Sequence, residues 1–396
     1  MAASLLTTEA CRLRNVPDLL DVRNAREILA DLGVTVETSD EGELSLTAAG
    51  TIGSEVTRDR AELMRASILF LGPLLARTGR AVVPRPGGDD IGMRRVDQHI
   101  FGLQQLGARI DEVEGNLVCT ADRLRGAEIY LDMPTVTGTE NVLMAAVLAE
   151  GRTTIANAAR EPHVRDLAVA LEGMGAEITG AGTDTIVVEG VGSLRGARHE
   201  VVSDYLDAGT LAIAVAAVGG EVTILKAPVH DLRALVLKLR HAGVEVNVTE
   251  DSMTIRSDPA KLEAIDIITW THPGFATDLQ PQFTTLMTQA KGTSVVQEFL
   301  FENRFVYLPE LTRLGARVEL FAHGRGVRVE GPTRLKGAAV TIPDIRAGAA
   351  LLIGALCAEG DTVLNAAGHL DRGYEQLPGK LARLGARIEE GEPLEA

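Results

Sequence analysis

Six times along the chain an amphipathic stretch closes on a leucine, a few further residues and a glycine, and an alternating stretch follows. The phrase stands at Ile28–Gly33, Leu103–Gly107, Leu171–Gly175, Leu239–Gly243, Leu311–Gly315 and Leu381–Gly385, so the glycines are 74, 68, 68, 72 and 70 residues apart. A period this steady restricts the chain to repeated copies of one supersecondary unit, and it governs the fold before any local propensity does.

Each copy reads alike. A Gly-Thr-like start leads a short strand, as in Gly151–Ala156 and Gly360–Leu364. An Asp-Leu or Glu-Leu segment opens a helix that ends at the repeat glycine, which suits a left-handed C-terminal cap. Two alternating strands follow, as in Ala176–Thr179 and Thr185–Glu189, with the period of two that half-buried strands show. A second helix comes next, rich in alanine and leucine, as in Ala347–Leu356. It lacks a wide polar face, so it is expected to be buried. The fold class is therefore α/β, with two helices and three or four strands per unit. Such a unit cannot bury both faces alone and needs its neighbours. Six units divide into two lobes of three, 1–203 and 204–396. Two similar lobes predict a cleft between them, a favoured place for ligands, that closes when substrate binds.

Composition excludes several classes. A net charge of −16 disfavours non-specific binding to nucleic acid or to an anionic membrane surface. Any anionic substrate must be held by a local arginine cluster working against that field. Cys11, Cys119 and Cys357 are far apart and form no metal or disulfide pattern, which points to a reducing cytoplasm. No apolar run reaches transmembrane length, and the apolar start, Met1–Thr8, is too short for a signal peptide and lacks a basic lead. No metal-ligand spacing is present, and no cofactor is called for.

The densest chemistry lies in Arg85-Pro-Gly-Gly-Asp-Asp-Ile-Gly-Met-Arg-Arg-Val-Asp-Gln-His99. Its glycines permit unusual backbone and close approach to a ligand. Arg94 and Arg95 present forked donors for phosphate or carboxylate, with Asp89 and Asp90 beside them as proton donors. Other polar residues interrupt the repeats just before the buried helices: Arg65, Thr135 to Asn141, Asp204, Asp278, and Asp344 with Arg346. Asp204 and Thr135 read as plain N-caps. Arginine near a positive helix end needs an anion to balance it, which singles out Arg65 and Arg346. Arg304 and Arg372 also stand out, each with an acidic neighbour, Glu302 or Asp371, as an alternative partner. His99 and His369 read as hydrogen-bonded structural histidines.

These residues carry a resemblance. Met64-Arg-Ala-Ser67, Pro86-Gly-Gly with Ile91-Gly and Arg94-x-Val-Asp-x-His99, the Thr-Glu-Asn141 run, Glu161-Pro with Asp166-Leu, Ala208-Gly-Thr210, Pro273-Gly-Phe-x-Thr-Asp278, Phe301-Glu-Asn-Arg-Phe305, Asp344-x-Arg346 and Asp371-Arg-Gly-Tyr374 resemble the enolpyruvyl transferases that act on UDP-N-acetylglucosamine. The resemblance covers nearly the whole chain in order. It implies two inverse α/β barrel domains of three repeats each. It also implies transfer of the enolpyruvyl group of phosphoenolpyruvate to the sugar's 3-hydroxyl with release of phosphate, the first committed step of peptidoglycan synthesis. UDP-N-acetylglucosamine and phosphoenolpyruvate are then the expected partners, with no nucleic acid and no membrane.

By the same resemblance Asp278 is the base and Asp89, where many members carry a cysteine, is the proton donor. Arg94 and Arg372 hold the phosphate, with Arg372 counted as catalytic, and Arg304 and Arg346 hold the carboxylate. Arg65, the run Arg94, Arg95, Val96, Asp97, Gln98 and His99, the run Thr135, Val136 and Thr137, Leu300 and Asp278 line the nucleotide-sugar side. Asp89 is expected to carry a raised pKa, from burial or from Asp90, against the pull of Arg94. As a carboxylate it should also resist the epoxide antibiotic that alkylates the family's cysteine.

Departures accompany the likeness. Met133 stands where some members have a lysine, and Tyr205-Leu-Asp207 replaces a common Arg-Ile-Glu. The family's first strand and its Lys-Asn pair do not appear. The expectation is that Met1 is an internal methionine of a longer chain, short by about 25 to 30 residues on the repeat period, and that this form binds nucleotide sugar weakly and turns over little. Two alternatives stay open: a sister enzyme acting on shikimate 3-phosphate, and a non-catalytic paralogue that binds a nucleotide sugar.

Overall fold

Every one of the six repeat glycines is left-handed in the computed structural model, which describes residues 1–389 and 391. Gly33, Gly107, Gly175, Gly243, Gly315 and Gly385 have φ between +91° and +106°. Each follows the outer helix of its repeat: Leu20–Asp31, Asp97–Gln105, Pro162–Gly173, Arg233–His241, Leu308–Arg313 and Leu377–Arg383. The hydrogen bonding is the same each time. The residue after the glycine donates back five positions, as in Val34 N to Leu29 O at 2.9 Å and Ala176 N to Leu171 O at 3.0 Å. The glycine itself donates back three, as in Gly175 N to Glu172 O at 2.9 Å. This double closure consumes the last helical carbonyls and turns the chain into the following strand.

The chain forms two compact bodies. One contains Met1–Gly88 and Arg95–Val202; the other contains Asp89–Arg94 and the chain from Ser203 onward. The six residues 89–94 lie outside the range 204–396 expected for the second lobe, and the contacts that place them there belong to the functional site. The end of that range, residue 390 and residues 392–396, falls outside the described residues.

In the first body three buried helical segments, Ala2–Leu6, Leu71–Thr78 and Val136–Ala146, lie among three sheets. Ala2–Leu6 is a short 3-10 turn. The sheets run in the orders 198–200/11–14/44–47/35–38, 80–84/116–120/109–113 and 128–130/152–156/185–189/177–179. The second body repeats the plan. Tyr205–Val218, Gln280–Met287 and Ile345–Cys357 pack on one another. Around them lie the sheets 220–225/252–257/245–248 and 267–268/292–297/326–331/317–321 and the pair 339–341/363–365.

Within a repeat the strand before the buried helix pairs parallel with the strand after it, as 128–130 does with 152–156 and 267–268 with 292–297. The two strands beyond the outer helix then add antiparallel. The inner helices are enclosed, and the last of them is apolar on all sides. In Ile345–Cys357 the residues Ala347 to Gly354 are all buried. Such a helix has no polar side chains of its own to satisfy its first N–H groups, so capping matters. Asp204 accepts from Leu206 N and Asp207 N at 2.7 and 3.3 Å. Asp344 accepts from Arg346 N and Ala347 N at 2.9 Å each, and Thr135 accepts from Gly138 N at 3.4 Å. Among the described residues no helix is long and apolar enough to cross a membrane.

Two glycines of one repeat should respond oppositely to alanine. Gly173 lies inside the outer helix, and a Cβ there meets Ala197 Cβ at an ordinary 3.7 Å. Gly175, with open space around its Cβ, has φ of +102°. Gly173→Ala should raise stability by about 0.5–1 kcal/mol through helix propensity, and Gly175→Ala should lower it by about 1–2 kcal/mol through left-handed strain. Denaturant unfolding of the two variants tests this; a shift of the same sign in both would contradict the cap assignment.

Candidate active site

The second body gathers most of the expected anion-binding side chains around one carboxylate. Asp278 lies in the 3-10 turn Thr277–Leu279 that leads the buried helix 280–287. Arg304 Nη2 donates to its Oδ1 at 2.6 Å, and Arg346 Nε stands 3.4 Å from its Oδ2. Arg304 is 1% exposed, so its charge must be answered inside the protein. Besides Asp278, its Nε and Nη2 donate to the carbonyl of Thr277 at 3.3 Å, and its guanidinium stands 5.9 Å from the Phe301 ring. Arg346, in the first turn behind the Asp344 cap, lies 4.9 Å over the ring of buried Tyr374. The Tyr374 hydroxyl is fixed in turn by Gln282 Nε2 and by Thr210 Oγ1, each at 2.9 Å. Beyond the neighbouring acids that the sequence offers, Glu302 and Asp371, Arg304 pairs with Asp278 and Arg372 with Asp89.

Residues 89–94 complete this group. Arg372 Nη1 donates to Asp89 Oδ1 at 2.6 Å, with both side chains largely buried. The turn Glu302–Asn303 holds the segment's backbone. Asn303 N donates to Ile91 O at 3.0 Å, Asn303 Nδ2 to Asp90 O at 3.1 Å, and Met93 N to Glu302 Oε2 at 3.2 Å. Gly92, with φ of +126°, lets this approach happen, since a Cβ there would strike Glu302 Oε2. Burial lowers the pKa of Arg94; Asp89 and Asp278 pull it up, and Arg304 and Arg372 push it down. Arg94 therefore shares one electrostatic field with both acids and with two of the other arginines. The carboxyl of Asp344 is raised by burial and further by Asp89, against Arg304.

The first body holds the remaining candidates. Arg65 opens the 3-10 segment Arg65–Phe70 and its Nη2 donates to Arg95 O at 3.4 Å. Arg95 pairs with Asp97 at 3.1 Å, both exposed. Val96 is buried core. Gln98 is buried and exchanges two bonds with Asp132, Nε2 to Oδ2 at 3.2 Å and Asp132 N to its Oε1 at 2.8 Å. His99 is 1% exposed; its Nε2 lies 3.0 Å from Thr137 Oγ1 and its Nδ1 2.8 Å from Asn141 Nδ2. Both ring nitrogens are therefore occupied inside the protein, which leaves the main chain as the part of His99 that can face a ligand. The half-buried run Thr135–Thr137 caps and opens the helix 136–146. Leu300 is half-buried in the second body, its N–H donating to Glu298 Oε1 at 2.8 Å. Met133 is exposed. His369, expected to be hydrogen-bonded, has a buried Nδ1 with no hydrogen-bond partner among the described residues.

Two residues organise the rest: Asn141, which the sequence marks only as part of a polar run, and Glu298, which sequence reasoning passed over. Asn141 joins three helical segments: its Nδ2 donates to Ile68 O at 2.8 Å, its Oδ1 accepts from Gly72 N at 2.8 Å, and it meets His99. Glu298 is wholly buried beside the Asp278 turn. It continues the inward alternation of Ser294 and Val296, so the period of two placed a carboxylate on the core face. That was the available signal. The three thiols play no part: Cys11 and Cys119 are buried and Cys357 is half-buried, and burial pushes Cys119 and Cys357 up to about 12. Among the described residues no cluster of His, Cys, Asp and Glu is placed to hold a metal ion.

A cluster of arginines around two carboxylates, one of them gripped from both sides, suits a substrate bearing a phosphate and a carboxylate. The family described as EPSP synthase (3-phosphoshikimate 1-carboxyvinyltransferase) matches residues 1–381. The chain belongs to the enolpyruvyl transferase family. It is 48% identical over 387 residues to the UDP-N-acetylglucosamine 1-carboxyvinyltransferase of Sorangium cellulosum, covering 98% of this chain and 91% of that protein. It is 45% identical to the enzyme of that name from Actinobacillus pleuropneumoniae, over 98% and 91% of the two chains. Among solved structures it resembles the enolpyruvyl transferase NikO from Streptomyces tendae, with a TM-score of 0.88 at 26% identity over 98% and 92% of the chains. The EPSP synthase of Acinetobacter baumannii shares the fold at 17% identity, with a TM-score of 0.71 over 98% and 94% of the chains.

Acid should expose the buried imidazole of this transferase. Burial, with Arg65 adding and Asp97 opposing, lowers His99 to about 3. The folded protein keeps it neutral while the unfolded chain protonates it below its ordinary value, so its contribution is intact above about pH 6.5 and is lost as pH falls toward 3. Between pH 6.5 and 5 this amounts to about 2 kcal/mol. Glu140, pushed up to about 7 by burial against the pull of His163, titrates with the opposite sign, so the readout is the difference from a variant. His99→Gln should remove the His99 part of the pH slope in denaturant unfolding between pH 7 and 5; an identical slope in both proteins would contradict the assignment.

Proposed function

We propose that the protein transfers the enolpyruvyl group of phosphoenolpyruvate to the 3-hydroxyl of UDP-N-acetylglucosamine and releases phosphate. The observation that carries this is the Asp278 carboxylate held by Arg304 and Arg346 beside a second pair, Asp89 with Arg372. Identity of 45% and 48% over 98% of this chain to enzymes named for this acceptor supports the choice of sugar.

In this reading the sugar hydroxyl attacks C2 of phosphoenolpyruvate while Asp278 takes its proton and Asp89 delivers a proton to C3. The tetrahedral adduct then expels phosphate and returns the C3 proton, which regenerates the double bond. Arg304 and Arg346 hold the substrate carboxylate, and Arg94 and Arg372 hold the phosphate as charge moves onto it. The incoming phosphate competes with Asp89 for Arg372, and that competition frees Asp89 for proton transfer. Arg65, Arg94 to His99, Thr135 to Thr137 and Leu300 meet the nucleotide sugar; buried Val96, Gln98 and His99 do so through the main chain. In this reading the reaction is the first committed step of peptidoglycan synthesis and runs in the cytoplasm.

The test is inorganic phosphate released from phosphoenolpyruvate with each of two acceptors. Release with UDP-N-acetylglucosamine and not with shikimate 3-phosphate is expected, and the criterion is the preference rather than the rate. Release with shikimate 3-phosphate, or with neither acceptor, would overturn the proposal. Asp89→Asn should cut turnover by at least about 100-fold, the usual worth of a general acid, whereas Asp89→Cys should keep part of it. Full activity in Asp89→Asn would remove Asp89 from the mechanism.

A further inference from the structure

Glu298 is a wholly buried carboxylate that touches none of the arginines it serves. It stands just beyond the strand Gly292–Gln297, at the entry to the turn that carries Leu300, Phe301 and Arg304. Both oxygens are occupied. Oε2 accepts from Thr277 Oγ1 at 2.8 Å. Oε1 accepts from Leu300 N at 2.8 Å and from Phe301 N at 3.2 Å. The Thr277 carbonyl in turn accepts two bonds from Arg304, which grips Asp278, the next residue along from Thr277. The bonds close a ring: Glu298 to Thr277, Thr277 to Arg304, and Arg304 back along four residues of chain to Phe301 and Glu298.

A buried carboxyl group costs free energy unless its oxygens are hydrogen-bonded. Here the cost is met by donors from two separate segments, and the result is geometric. The Asp278 turn and the Arg304 turn are pinned to the same atom group. We propose that Glu298 is a positioning residue for the transfer reaction. It sets the distance and angle between Asp278 and Arg304, and with them the base, one carboxylate-holding cation and the Leu300 main chain. This rests on the reading of Asp278 as the base.

The experiment uses the full chain with phosphoenolpyruvate and UDP-N-acetylglucosamine. Thr277→Val deletes one hydroxyl, keeps the volume, and leaves Glu298 Oε2 without its donor. It should lower kcat by about 10- to 100-fold, the scale of a small misplacement of a reacting group, while the dissociation constant for the nucleotide sugar stays within about 3-fold. The acid limb of the kcat profile, which reports the base in the complex, should move to higher pH. The charges facing Asp278 are Arg304, Arg346 and Arg94, and a loosened Arg304 favours the carboxylate less. Glu298→Ala should show the larger loss, and Glu298→Gln, which still accepts from both N–H groups and can donate to the Thr277 hydroxyl, should recover most of it. Thr277→Val folds on conservative volume even where Glu298→Ala does not, so the inference is decided in either case. Wild-type kcat and an unmoved acid limb in Thr277→Val would overturn it, as would a fall in kcat matched by loss of sugar binding. A wild-type chain that releases no phosphate would instead overturn the functional reading itself.

Discussion

The second body is arranged around the burial of one guanidinium. Arg304 is almost completely withdrawn from water, and an isolated charge in that position is far too costly to persist. Its neighbours are the response: Asp278 at 2.6 Å, the Thr277 carbonyl, the Phe301 ring, and a capping Asp344 whose carboxyl its charge helps to keep ionised. Arg346 joins the same carboxylate from the start of the next buried helix. Four arginines and two facing acids thus share a region of low dielectric inside a chain whose net charge is −16. In such a region fixed charges act strongly on any anion that enters, and little reorganisation is needed at the moment of reaction.

The scaffold explains why these residues meet. Each buried helix is enclosed by sheet and by other helices, and its N-terminal end carries the N–H groups that the helix itself cannot satisfy. Chemistry-bearing residues therefore accumulate where the helices begin: Asp278 before 280–287, Asp344 and Arg346 at 345–357, Asp204 at 205–218, Thr135 at 136–146. The outer helices carry the other half of the plan, since their left-handed glycines turn the chain into the sheets and set the period.

Much of this was legible in the sequence because it is periodic or compositional. The six glycines demanded one backbone conformation and obtained it, and the alanine-rich segments without a polar face became the buried helices. The arginines at helix starts signalled an anion site because their placement opposes the helix dipole. What stayed hidden depends on contacts distant in the chain. The pairing of Arg372 with Asp89 spans 283 positions and competes with the adjacent Asp371, which local reading cannot rank. Residues 89–94 joined the second body through Glu302 and Asn303, a preference no composition shift announces. His99 was legible as a structural histidine from its type and place, yet its partners, Thr137 and Asn141, came only with the packing of three helices. Glu298 was visible as an acid on the inward face of a strand, but its purpose required seeing the turn that it ties down.

Asp278 is the counter-ion of Arg304 and Arg346, and in the proposed function it is also the base of the reaction. Asp278→Asn separates the two. Phosphate release should fall by about three orders of magnitude, since a base contributes on the order of 10²–10⁴. Phosphoenolpyruvate, measured by equilibrium titration in the presence of UDP-N-acetylglucosamine, should bind at least as tightly as to the wild type, because two arginines are freed for its carboxylate. Turnover within about tenfold of the wild type, or phosphoenolpyruvate binding lost together with turnover, would contradict the account.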